Sequence, residues 1–92
     1  MIYYNWNNEK NDQLKQKRKV SFERITTQIE NGKLLDIVDH PNKEKYPNQK
    51  MYIVEYENYA YLVPFVQEGD AIFLKTIIPN RKATKKYLRS ER

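Results

Sequence analysis

The residues of this chain best suited to chemistry are lysines, arginines and tyrosines. Its 92 residues include one histidine, two glycines and no cysteine. That inventory cannot assemble a cysteine/histidine metal cluster, a Ser-His-Asp arrangement or a glycine-rich phosphate loop. Basic and phenolic side chains can, however, cleave RNA without a metal or any other cofactor. In that reaction the 2′-hydroxyl attacks the adjacent phosphate while a base takes its proton. A cation stabilises the crowded phosphate and an acid assists the leaving oxygen.

The candidates follow from position. Lys75 interrupts the apolar run Ala71 to Ile78; strand alternation puts it on one face with Phe73 and Ile77. It is either a phosphate-binding lysine on an open face or a snorkelling side chain near a sheet end. Lys50 opens a run in which Tyr52, Val54 and Tyr56 share its face, so lysine could meet phosphate and tyrosine could stack on a base. With eight tyrosines in the chain, packing is the competing role for most of them. His40 could serve as a proton carrier, but at the loop start Asp39-His40-Pro41 it reads first as a plain polar residue. Trp6 is either a core anchor or a stacking group.

These residues need elements to hold them. Tyr3 to Trp6 suits a short strand, and Asn7 or Asn8 can cap a helix running to Arg18 with Leu14 almost alone as its apolar stripe. Ser21 caps a second helix, where Phe22, Ile25 and Ile29 recur at helical spacing and Asn31-Gly32 supplies the stop. Four β-type runs follow: Leu34 to Asp39, Lys50 to Glu57, Tyr59 to Val66 and Ala71 to Ile78. Tight turns at Glu57-Asn58-Tyr59 and Gln67 to Asp70 imply antiparallel neighbours. His40 to Asn48, with two prolines, must be an exposed loop. Pro64 cannot donate to a ladder, which argues for an edge or a bulge. Asn80 can cap a terminal basic helix, Arg81 to Arg92. The expected fold is α+β in one domain, residues 1–92. Two N-terminal helices pack on one face of a mostly antiparallel sheet, a short basic helix ends the chain, and the other face stays free.

Charge is unevenly spread. Residues 1–29 carry 6 Lys/Arg against 3 acids, residues 30–70 carry 4 against 8, and residues 71–92 carry 7 against 1. If the fold joins the two basic ends, they form a patch for a polyanion; if not, they are solvated faces. The apolar runs are too interrupted for a membrane span, so no membrane partner is expected. The N-terminus lacks a secretory pattern, and a cytoplasmic location is the expectation.

Two stretches carry a resemblance. Asn5-Trp6-Asn7-Asn8-Glu9-Lys10 with Lys17-Arg18-Lys19-Val20-Ser21-Phe22-Glu23 resembles the opening of BrnT-type toxins, and Ile77-Ile78-Pro79-Asn80-Arg81-Lys82-Ala83-Thr84 resembles their ending. The resemblance implies a RelE/ParE-like fold and a bacterial toxin of a type II toxin–antitoxin pair. It further implies an endoribonuclease that inhibits translation, without a cofactor. A ribbon-helix-helix antitoxin would neutralise it in a toxin–antitoxin hetero-oligomer. By position, Arg81 matches the closing arginine, Lys17 the first-segment lysine, Lys50 the strand-opening arginine and Trp6 the N-terminal tryptophan. Arg81, Lys50 and Lys75 then become the catalytic candidates, and Trp6, Lys17, Tyr52, Lys82, Lys85 and Lys86 the RNA-binding ones. Arg18 stands in place of histidine, Lys19 of glycine and Lys50 of arginine, and lysine does not reproduce a bidentate arginine contact. A non-catalytic module that binds nucleic acid or an antitoxin is the alternative.

Overall fold

A computed structural model describes residues 1–89 of the chain. The elements run β1 (Tyr3–Asn5), α1 (Asn8–Arg18), α2 (Phe22–Glu30), β2 (Leu34–Asp39), β3 (Gln49–Tyr56), β4 (Tyr59–Glu68), β5 (Ala71–Leu74), β6 (Ile78–Pro79) and α3 (Arg81–Leu88). The mixed sheet has the order β1-β5-β4-β3-β2, with β6 paired to β4 beyond β5. Among the described residues β1–β5 is the one parallel pair. The fold class is therefore α+β, as the alternation of short apolar runs and helical spacing implies. No helix among the described residues is long and apolar enough to cross a membrane.

The β3–β4 hairpin is the spine. Eight residue pairs join it, from Gln49 opposite Val66 to Tyr56 opposite Tyr59. Its turn is the two-residue Glu57-Asn58, both with positive φ (53° and 63°), the twist that matches antiparallel strands. On one face, Tyr52, Val54, Val63 and Phe65 meet Leu14, Val20, Phe22 and Ile25 from α1, α2 and the corner between them. Leu14 and Asn11 are the buried residues of α1, in keeping with its thin apolar stripe.

The opposite face is not free. Ile53 and Ala60 form a second cluster with Ala83 of α3, joined by Leu35, Val38, Leu62, Tyr87 and Leu88. The expected open working face is thus partly occupied by the terminal helix. The physical reason is that Ala83, Tyr87 and Leu88 supply just enough apolar surface for Ile53 and Leu62 to be covered. Two hydrogen bonds fix the dock. The Ala60 N–H donates to Thr84 Oγ1 at 2.9 Å, and Tyr87 Oη donates to Asp36 Oδ2 at 2.5 Å. The helix ends at Leu88; the rest of the span expected for it, residues 90–92, lies outside the described residues.

The run Ala71 to Ile78 is also not one strand. Leu74 opposes Phe65 and Ile78 opposes Leu62, so four steps on this side match three on β4. The extra residue is a bulge at Lys75–Ile77. It shifts the alternation, leaving Ile77 fully buried while Phe73 and Lys75 are exposed; Lys75 therefore does not share a face with Ile77. Pro64 sits opposite this bulge in a central strand, where its carbonyl accepts from the Lys75 N–H at 2.8 Å. A residue without an N–H is tolerated there because the regular ladder is already interrupted.

One buried polar side chain ties the helices together. Asn11, 3% exposed, accepts from the Phe22 N–H through Oδ1 at 2.9 Å and donates through Nδ2 to Glu23 Oε1 at 2.9 Å. Asn11→Leu keeps the volume but leaves the buried Phe22 N–H unpaired, so it should cost about 2 kcal/mol. Urea unfolding of the two proteins measures this difference.

Candidate nucleic-acid interface

The expected site residues are distributed over both faces. Arg81 opens α3, whose N-cap Asn80 accepts from the Ala83 N–H at 2.7 Å. Arg81, Lys82, Lys85 and Lys86 are all exposed, and no acidic residue lies in this helix. The side of α3 turned from the sheet is therefore a continuous cationic strip. Lys86 Nζ also lies 5.2 Å from the Tyr87 ring centroid. Lys75 is on the same side of the sheet, with its Nζ 5.9 Å from the Phe73 ring centroid.

Lys50 belongs to the other face. It opposes Phe65 on β4 and Asp39 on β2, at the end of the sheet that carries the 40–48 loop. The Asp39 carboxyl is held below its usual range chiefly by the Lys43 ammonium, 3.0 Å away, and to a smaller degree by Lys50. Asn80 donates its N–H to the Ala60 carbonyl, and Ala60 opposes Glu55, five residues along β3 from Lys50. At the rise of a β-strand this separation is about 17 Å, so Lys50 and Arg81 do not share one phosphate. His40 is occupied within its own loop, where Nδ1 accepts from the Asn42 N–H at 3.0 Å and the ring packs on Tyr46 at 4.5 Å.

Two aromatic candidates are packing groups. Tyr52, 6% exposed, stacks on Phe65 with ring centroids 4.1 Å apart. Burial, with Tyr4 beside it, pushes its phenol up to about 12. It offers no open face to a base. Trp6 is half-buried and stacks on Phe22 at 5.5 Å. Lys17 is exposed in the last turn of α1, and its neighbour Arg18 donates from Nη1 to the Ile77 carbonyl at 2.6 Å. That bond fastens the end of α1 to the bulge.

What sequence reasoning missed lies at the hairpin end. A cleft of about 480 Å³ opens between the α1–α2 corner and the Glu57-Asn58 turn, lined by Lys15, Lys19, Ser21, Arg24, Tyr56 and Glu57 among others. Arg24 Nη1 donates to Tyr56 Oη at 3.1 Å. Beyond that bond a smaller hollow of about 220 Å³ continues past Thr27 and Gln28. Tyr56 lines both, and Tyr61 and Tyr59 follow it in a chain of rings, with centroids 6.1 Å apart for Tyr56–Tyr61 and 5.8 Å for Tyr59–Tyr61. Burial, and then the nearby Glu57 charge and neighbouring phenols, raises the Tyr61 pKa and keeps it neutral. The sequence signal was the Lys17-Arg18-Lys19 run directly before the Ser21 cap. Which side chains of that run meet the β3–β4 turn is set by tertiary packing.

Among the described residues no group of three or more His, Asp or Glu side chains could hold a metal ion. Fold and surface together define a small α+β domain with a cationic helix on one side of its sheet and, on the other, a basic cleft with Tyr56 in its wall. No family model, curated protein or solved structure matches the chain.

The raised phenol of Tyr52 makes a measurable signature. A group whose pKa rises on folding contributes stability that is present below its unfolded value, near 10, and is lost as pH climbs toward about 12. Ultraviolet titration of tyrosinate should lose its latest-ionising phenol in Tyr52→Phe, while the raised phenols of Tyr61 and Tyr87 remain. That variant should leave nucleic-acid affinity unchanged, because the ring is not presented to solvent.

Proposed function

We propose that this protein is a metal-independent endoribonuclease of the RelE/ParE-like kind and the toxin of a type II toxin–antitoxin pair, related to the BrnT branch. The observation that carries the reading is the α3 strip: four exposed cations and no acid on one helix face, with Arg81 at its start. Phosphate backbones are bound chiefly by such arrays, and arginine is the side chain best matched to a crowded phosphate. In this reading Arg81 stabilises the phosphate under attack by the 2′-hydroxyl, while Lys82, Lys85, Lys86 and Lys75 hold the strand on the same side of the sheet. Lys50, on the other face, belongs to RNA positioning and not to the same phosphate. A ribbon-helix-helix antitoxin would neutralise the toxin by covering this cationic surface, and the working compartment is the cytoplasm, where the RNA is.

The separation of Lys50 from Arg81 also supports a second reading, in which the same surfaces bind nucleic acid or an antitoxin without cleaving. Induced expression in bacteria distinguishes the two. The nuclease reading predicts growth arrest with wild-type protein and relief of the arrest by Arg81→Ala, with both proteins folded and equally abundant. Harmless wild-type expression contradicts it.

A further inference from the structure

We propose that the cleft between the α1–α2 corner and the β3–β4 turn is a backbone subsite for single-stranded RNA, in which Lys15, Lys19 and Arg24 hold phosphate and the Tyr56 cluster receives a base. This deepens the nuclease reading by naming a second RNA contact away from Arg81. It does not require that cleavage occurs.

Three observations converge. First, three cations line one cleft together with the single acid Glu57, and Glu23 lies 3.9 Å from Lys15 in a solvent-exposed pair, so the cleft is net cationic. Exposed pairs of that kind contribute little and do not prevent Lys15 from turning to a phosphate. Second, the cleft runs past the Arg24–Tyr56 bond into a hollow lined by Glu23, Thr27 and Gln28; the Tyr56 ring lines both, with the Tyr61 ring 6.1 Å from it. A cationic track with aromatic faces is the arrangement that single strands require, because every base has a π-face. An acidic peptide would use the cations but not the rings.

Third, Lys19 stands at a backbone position unfavourable to it. It caps α1 at φ 56°, ψ 35°, in the left-handed region. A non-glycine residue there costs stability that glycine would not. The side chain that carries this cost is exposed and lines the cleft. Strain of this kind is retained at functional positions. Lysine at this corner serves the ligand and not the fold.

This gives a test with opposite signs in one variant. The probe is a fluorescent, unstructured 2′-O-methyl oligoribonucleotide of about ten nucleotides, which lacks the attacking hydroxyl and cannot be cleaved by this chemistry. Lys19→Gly should raise Tm by ~3 °C and at the same time weaken binding about fivefold. The slope of log affinity against log salt should fall by ~0.7, the value for one phosphate contact on a single strand. Arg24→Gln should weaken binding to a similar degree, and Lys43→Gln, on the distant 40–48 loop, should leave it unchanged. Unchanged affinity and salt slope in both Lys19→Gly and Arg24→Gln overturn the proposal, as does wild-type protein that fails to bind the probe. A parallel incubation with the unmodified oligoribonucleotide of the same sequence reads cleavage separately: its absence in a chain that binds the probe with these losses overturns the nuclease reading and leaves the subsite standing. Cleavage that survives both variants with unchanged binding does the reverse.

Discussion

The structure depends on the two-sided burial of the β3–β4 hairpin. Val54 and Val63 are sealed by the α1–α2 layer on one face, and Ile53 and Ala60 by α3 on the other. A central ribbon apolar on both faces has to be covered on both. In a chain of 92 residues little helix is available to do it. The nine residues of α2 supply Phe22 and Ile25, and the eight of α3 supply Ala83 with half-buried Tyr87 and Leu88. Each helix spends its apolar stripe on the sheet and turns a polar or basic side to solvent. The cationic surfaces of this protein are therefore the outer sides of its covering elements.

That arrangement explains why, among the described residues, the basic α1–α2 segment and the basic α3 do not merge into one patch. The Lys15 to Arg24 segment and the α3 strip lie on opposite sides of the sheet, meeting only around the hairpin end, where Asn80 bonds to Ala60 and Arg18 to the bulge. The bulge itself is part of the plan. Its additional residue keeps Ile77 in the same core as Leu74 and lets the chain continue along β4 as β6 before entering α3 on the far side.

Much of this was legible in the residues. Asn7, Ser21 and Asn80 cap the helices as their types and positions suggest. The runs of apolar residues locate the strands to within a few positions, and Glu57-Asn58 makes the tight turn. What escaped was set by pairing. The stretch from Ala71 to Ile78 reads as one continuous strand, because the place of a bulge depends on the register of β4; its one mark in the sequence was Pro64 on the partner strand, which argued for an edge or a bulge. The parallel pairing of β1 with β5 and the docking of α3 on the second face are likewise tertiary choices. Tyr52 and Trp6 show the same limit at the site: an aromatic ring in a strand suits a base or a core equally until its neighbours are known. The basic cleft was the converse case, its cations visible in sequence but their convergence with Tyr56 a product of folding.

The proposed reaction is attack of the RNA 2′-hydroxyl on the adjacent phosphate, with basic side chains in place of a metal. The chemistry of the cut ends decides it. Purified protein incubated with RNA in excess chelator should yield products with 2′,3′-cyclic phosphate and 5′-hydroxyl ends, in amounts that fall sharply with Arg81→Ala. Ends bearing 5′-phosphate, or intact RNA under conditions where the protein binds it, would contradict the claim.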